Sequence, residues 1–104
     1  MQEERAAQGL AALGNRTRLR LYRLLVRAGQ DGLNVGDLQR HLDVPASTLA
    51  HHLATLARAG LVSQERAGRE VITRADYAAM RALVGYLTEE CCAGVRSSGD
   101  SDAA

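Results

Sequence analysis

The chain contains neither phenylalanine nor tryptophan, and its only aromatic residues are Tyr22, Tyr77 and Tyr86. Any apolar core must therefore be assembled from leucine, valine and alanine. In a chain of 104 residues such a core is thin, which predicts one small domain completed by oligomerisation. With 46% hydrophobic and 24% charged residues the chain reads as globular, not disordered. Its apolar runs fall far short of the roughly 20 residues that cross a bilayer. The start, Met1-Gln2-Glu3-Glu4-Arg5, lacks the basic-then-apolar order of a signal peptide. The expectation is a cytoplasmic protein with no membrane partner.

The net charge of +1 argues, as a total, against a nucleic-acid partner. Its distribution argues the other way. All 13 basic residues are arginine, and residues 16–74 hold ten of them against Asp31, Asp37, Asp43, Glu65 and Glu70, a local +5. Residues 1–15 sum to −1, and residues 75–104, with Arg81 and Arg96 against five acids, to −3. A basic middle between acidic ends is the footprint expected of phosphate contacts, although a solvated arginine-rich surface gives the same count.

Periodicity divides the chain into short helices with clear punctuation. Residues 3–13 carry Ala6, Leu10 and Leu13 at helical spacing. Asn15 reads as the N-cap of a helix from Arg16 to Ala28, stopped by Gly29. Asn34-x-x-Asp37 resembles a capping box opening a short helix to Leu42. Asp43-Val44-Pro45 reads as a turn, with Pro45 the first residue of a fourth helix to Ala59 that buries Leu49, Leu53 and Leu56. Leu61 to Glu65 and Glu70 to Thr73 are β-prone and joined through Arg66-Ala67-Gly68-Arg69. Thr73-x-x-Asp76 is expected to cap a last helix reaching Cys91 or Cys92. Gly, Ser and Asp then dominate, so residues 93–104 are expected to be a flexible tail following a 1–92 domain. The fold class is mainly α: a winged helix-turn-helix of about five helices plus a β-hairpin wing, its two central helices joined by a short turn.

At this point the residues match a known pattern. The segment from Ala12-Leu13-Gly14-Asn15-Arg16 through Leu24-Leu25 resembles the opening of the ArsR/SmtB family of metal- and metalloid-sensing repressors. Leu33-Asn34-Val35-Gly36-Asp37-Leu38, Pro45-Ala46-Ser47-Thr48-Leu49-Ala50-His51-His52-Leu53 and Ala59-Gly60-Leu61-Val62 continue the match, and Gly68-Arg69 fits the family's wing. The resemblance covers residues 5–92. It implies a homodimeric repressor released from an inverted-repeat, double-stranded DNA operator by its inducer.

Two recognition helices of a twofold dimer would enter major grooves about 34–36 Å apart. Ser47, Thr48, His51 and, by helical spacing, Thr55 are the candidate base or phosphate contacts. His52 stands where the family's pattern has its histidine, and either reaches DNA or packs structurally. Arg66 and Arg69 flank the wing tip, where an arginine fork suits a narrow minor groove or phosphates. Arg16, Arg18 and Arg20 either touch the backbone or form a solvated face. Ala46 and Ala50 depart from the family, which often has Gln or Ser there.

The resemblance also supplies sensor positions to check. A thiol site on the third helix would need Cys where Asn34, Gly36 and Gln39 stand. A zinc site on the last helix would need histidine, but His41, His51 and His52 all lie in the helix-turn-helix, so zinc is not expected. Cys91-Cys92 remain. Tyr77, Met80, Val84, Leu87 and Cys91 step by three and four, as in a helix–helix seam, so Cys91 has a packing explanation that Cys92 lacks. Thiolates favour soft ions, and Tyr86-Leu87-Thr88-Glu89-Glu90-Cys91-Cys92 resembles the end of the last helix in arsenic-responsive members. The implied inducer is trivalent arsenic, as arsenite or an organoarsenical, with antimonite sharing the chemistry. The third cysteine that some relatives carry downstream is not present. That leaves one arsenic position for hydroxide, a small thiol, a residue of the other subunit or a carbon already on arsenic, so methyl- or aryl-arsenite is expected to bind as well as arsenite or better.

Three rivals stand beside this reading. A thiol-based redox or persulfide sensor keeps the fold and oxidises the same cysteines; a disulfide between neighbours is strained, so an intersubunit one is expected. A thiol enzyme of the Cys-x5-Arg type fails on spacing, since Arg96 follows Cys91 and Cys92 too closely. A winged helix serving only as a protein-interaction module would not bind duplex in a salt-dependent way. The expectation is a regulator and not an enzyme.

Overall fold

A computed structural model describes residues 1–95. The chain runs α1 (Glu3–Leu13), α2 (Arg16–Ala28), a 3-10 turn (Gly29–Asp31), β1 (Leu33–Asn34), α3 (Val35–Leu42), α4 (Ala46–Arg58), β2 (Val62–Ala67), β3 (Glu70–Ala75) and α5 (Tyr77–Thr88). The antiparallel sheet is ordered β1-β3-β2, with Leu33 opposite Thr73 and Ala67 opposite Glu70. This is the expected winged helix-turn-helix.

The leucines carry the core as the missing large aromatics require. Leu21 and Leu25 of α2, Leu38 of α3, Leu49 and Leu56 of α4, and Leu61 are all almost fully buried. Tyr22 joins them, with its hydroxyl buried and unpartnered. Burial is the main cause that pushes this phenol up to about 12, with Asp76 and Tyr77 adding to it. Tyr77 is the opposite case: its hydroxyl donates to the carbonyls of Leu25 and Val26, each at 3.1 Å, and so closes the end of α2. Ala6, Gly9 and Ala12 give α1 a small-residue face, and Leu83 of α5 packs over Gly9.

Asn15 and Asn34 cap as expected, their side chains accepting from the amides of Arg18 (3.0 Å) and Asp37 (2.8 Å). Asp43 takes a left-handed φ of 54° in the turn between α3 and α4. Several expectations are corrected. Pro45 is the extended N-cap of α4 and not its first residue. Thr73 does not cap the last helix; it is fully buried in β3, and its hydroxyl accepts from Gln64 Nε2 at 3.3 Å. Asp76 alone caps α5, accepting from the Ala79 amide at 3.0 Å. Arg66 and Ala67 pair with Val71 and Glu70, so the wing turn contracts to Gly68–Arg69. The two-residue β1 is too short to announce itself in sequence.

The largest correction is at the end of α5, which stops at Thr88 and does not reach the cysteines. The helix ends where the Glu89 backbone turns extended, ψ 132°, and its amide takes the Tyr86 carbonyl at 3.3 Å, one residue short of the helical pattern. The Thr88 hydroxyl donates to the Val84 carbonyl at 3.0 Å and approaches that of Gly85 at 3.3 Å. Tight turns follow, with the Cys91 amide on the Thr88 carbonyl and the Ala93 amide on that of Glu90. Glu90 and Cys92 both adopt left-handed φ, 59° and 64°. Of the expected tail, Ala93–Val95 are exposed and residues 96–104 lie outside the described residues.

Candidate nucleic-acid interface and thiol turn

The helix α4 turns Leu49, Leu53 and Leu56 inward, so its outer face carries Ser47, His51, Ala54, Thr55 and Arg58. Ser47 and His51 are exposed, and Thr48 is half-buried at the edge of that face. Pro45 provides no side-chain cap, and the first intrahelical bond runs from the Leu49 amide to the Pro45 carbonyl. The amides of the first turn therefore point outward, as anion recognition requires. Thr55 is half-committed: its hydroxyl donates to the His51 carbonyl at 3.1 Å and accepts from Arg58 at 3.4 Å. Arg58 escaped the sequence reading. Continuing the spacing of Ser47, His51 and Thr55 by one turn would have found it.

His52 sits apart from these residues. It is half-buried and faces α2, with Nδ1 3.4 Å from an Arg18 guanidinium nitrogen. Burial, then Arg18, then His51 hold it below the usual imidazole value, so the neutral ring accepts the Arg18 N–H. Arg18 Nε also donates to the Ala12 carbonyl at 2.6 Å, tying α1, α2 and α4 together. Arg18 is thus occupied, whereas Arg16 and Arg20 point to the opposite, exposed side of α2.

The wing places Arg66 on β2 and Arg69 at its tip, both exposed. The acids nearby are engaged elsewhere. Glu65 accepts from Arg74 at 2.7 Å, and Glu70 accepts from Asn34 Nδ2 at 3.1 Å. Arg74 also donates to the Gln30 carbonyl at 2.6 Å, and Arg40 pairs with Asp37. Among the described residues, Arg66 and Arg69 make no ion pair.

Cys91 and Cys92 are free thiols, both exposed, with their sulfurs 3.3 Å apart. The turns after Thr88 bring the sulfurs together, whereas a continued helix would set neighbouring side chains about 100° apart. Among the described residues, no third His, Cys, Asp or Glu converges on them. A short distance up α5, Val84 and Leu87 are 57% and 59% exposed, and Leu10 of α1 is 42% exposed, more apolar surface than a small monomer needs to show. No helix among the described residues is long and apolar enough to cross a membrane.

Residues 13–65 match the model of a helix-turn-helix domain family. The chain is 30% identical over 83 residues to the transcriptional activator HlyU of Vibrio cholerae, covering 80% of this chain and 74% of that one. It is 40% identical over 60 residues to a Halobacterium salinarum protein assigned as an arsenical resistance operon repressor, ArsR; the match covers 58% of this chain but only 46% of that protein's length. Among solved structures it is similar to a homodimeric winged helix-turn-helix DNA-binding domain from Mycobacterium bovis, a possible ArsR-family regulator. There the TM-score is 0.65, with 28% identity over 84% of this chain and 81% of the other. These relatives are transcriptional regulators, not enzymes.

Proposed function

This chain belongs to the ArsR family of winged-helix transcriptional regulators, and from that premise we propose a homodimeric repressor that leaves its inverted-repeat operator when Cys91 and Cys92 together take up trivalent arsenic. The observation that carries the reading is the pair of free, exposed sulfurs 3.3 Å apart at the end of α5. Sulfurs this close can share one soft centre with little rearrangement of the turn. Among the described residues no third or fourth His, Cys, Asp or Glu joins them, which falls short of a tetrahedral zinc site and leaves a three-coordinate soft centre one ligand to find. The arsenical resistance repressor among the relatives supports the same inducer class.

On the DNA side, Ser47, Thr48 and His51 lead into the major groove, with Thr55 and Arg58 behind them. Arg66 and Arg69 reach the flanking backbone or minor groove. His52 acts from behind, holding α4 to α2 through Arg18. Exposed Leu10, Val84 and Leu87 favour a dimer built on α1 and α5, which places the thiol turn beside the subunit boundary. Fixing both sulfurs on one centre restrains residues 89–92 and shifts the pairing of the α5 helices. The recognition helices then lose their groove spacing. Coupling of this kind is typically about 1–3 kcal/mol, a loss of roughly 5–150-fold in affinity.

The test uses fluorescence anisotropy on duplexes selected from a randomised pool, with arsenite, methylarsenite, zinc and peroxide in parallel. The expected result is release by the arsenicals, with Cys92→Ser binding duplex normally but not responding. Two thiolates leave one arsenic position for a carbon substituent, so methylarsenite should act at least as well as arsenite; arsenite acting at far lower concentration would remove that preference. Normal release of Cys92→Ser by either arsenical would overturn the assignment. Release by peroxide alone, with an intersubunit disulfide on non-reducing mass analysis, would establish the redox reading instead.

A further inference from the structure

The face of α4 turned toward the wing carries no hydrogen-bonding side chain. Ala46, Ala50 and Ala54 follow one another at i, i+4 and i+8, one stripe about 12 Å long at the helical rise. With Val35 of α3 and Val71 of β3 they line an apolar groove of about 250 Å³ between the recognition helix and the hairpin. Its one polar wall residue, Gln64, has its amide nitrogen committed to the buried Thr73 hydroxyl at 3.3 Å. Ala46 and Ala50 are exposed and Ala54 is half-buried, so the stripe is open to whatever the recognition helix meets.

We propose that this alanine stripe reads thymine through its 5-methyl group, giving each operator half-site A·T pairs under the wing side of α4. The inference rests on the duplex-binding reading above and deepens it. The occupant follows from continuity: the groove lies between the two elements that engage DNA, α4 and the wing. Of the groups a base pair projects into the major groove, the thymine methyl is the one apolar substituent; cytosine offers only a bare C5–H there, and the rest are donors or acceptors that an alanine face leaves unpaired. A stripe of about 12 Å spans three to four base steps of about 3.4 Å, enough for two or three methyl contacts. Alanine also lets the helix backbone come closer to the base edges than a longer side chain would. Ser47, at the outer edge of the stripe, and His51 and Thr48, further round α4, supply the polar part of the readout.

The test takes the tightest duplex from a randomised pool and replaces each thymine in turn by deoxyuridine, which removes the methyl and keeps the pairing. Burying one methyl is worth about 0.8 kcal/mol, so each contacted thymine should lose roughly fourfold in affinity when replaced, and a symmetric pair about fifteenfold. Thymines outside the footprint should lose nothing. Ala50→Gln should abolish the thymine–uracil difference at its position while keeping the salt dependence of binding; Ala50→Ser, a smaller change, serves if the first variant folds poorly by circular dichroism. Equal affinity of thymine and uracil duplexes at every position overturns the proposal while leaving duplex binding intact. Failure to retain any duplex at low salt overturns both.

Discussion

Gly29 and Gly32 form a matched pair that isolates a steric cost. Their backbones are nearly the same, φ 76° and ψ −159° at Gly29, φ 67° and ψ −170° at Gly32. This region is close to glycine-only, and placing alanine there costs about 1–3 kcal/mol. The surroundings differ. A Cβ on Gly29 would meet nothing within 4 Å, whereas one on Gly32 would stand 2.6 Å from the Thr73 carbonyl oxygen, 2.8 Å from Ile72 Cγ2 and 2.9 Å from Arg74 Cγ. The Thr73 backbone cannot yield without breaking its pairing with Leu33, so overpacking adds about 1–3 kcal/mol more at Gly32. Gly29→Ala should therefore lose about 1–3 kcal/mol and Gly32→Ala about 2–6, from a total of about 5–15 for a domain of this size. The two variants should differ in Tm by roughly 10 °C, since 1 kcal/mol is worth about 4–8 °C in a small domain. Urea midpoints and thermal melts followed by circular dichroism give both numbers. Equal midpoints for the two variants would refute the steric argument and leave only the conformational one.

Tyr22→Phe should be neutral or stabilising in the same melts, because it removes a buried hydroxyl with no partner, whereas Tyr77→Phe should cost about 1 kcal/mol by leaving α2 carbonyls unpaired. The reverse order would contradict the hydrogen bonding described here. His52 is held neutral by the fold, so the unfolded chain takes up its proton first as pH falls through the ordinary imidazole value of about 6.5. Stability should be constant in this respect above that pH and decline below it. His52→Gln should flatten the decline, and an unchanged pH profile would show that the ring is free. Arg66→Ala and Arg69→Ala should each lower the slope of log K against log salt by about one, uniformly across duplex sequences. A slope that stays unchanged would take that arginine away from the phosphates.

The parts of the fold written in local chemistry were legible in sequence. Asn15 and Asn34 are short polar side chains ahead of apolar spacing, and both accept an amide bond where such a residue should. Leu21 and Leu25 of α2, Leu38 and Leu42 of α3, and Leu49, Leu53 and Leu56 of α4 face inward at the positions their period assigns. What was lost depended on partners distant in the chain or on one side chain's choice of bond. Leu33 and Asn34 are a strand only because β3 lies beside them. Thr73 looks like a cap by type, yet its neighbours bury it. The apolar stepping from Tyr77 to Leu87 runs on smoothly to Cys91, and nothing in it announces that the backbone turns extended at Glu89, whose amide takes the Tyr86 carbonyl instead of continuing the helix. In the interface, Arg16, Arg18 and Arg20 are one residue type at alternate positions. Only the packing of α2 on α4 makes the middle one a tie and leaves the others in solvent.

That early end of α5 has a kinetic side. Cys91 and Cys92 project from turns outside the core, so an incoming soft ligand waits for no local unfolding, a step that takes microseconds to seconds in buried sites. On the function proposed above, the rate of loading would be set by ligand exchange with competing small thiols in the surrounding solution. The same openness would work in reverse, because a free dithiol could strip the proposed site without passing through the protein.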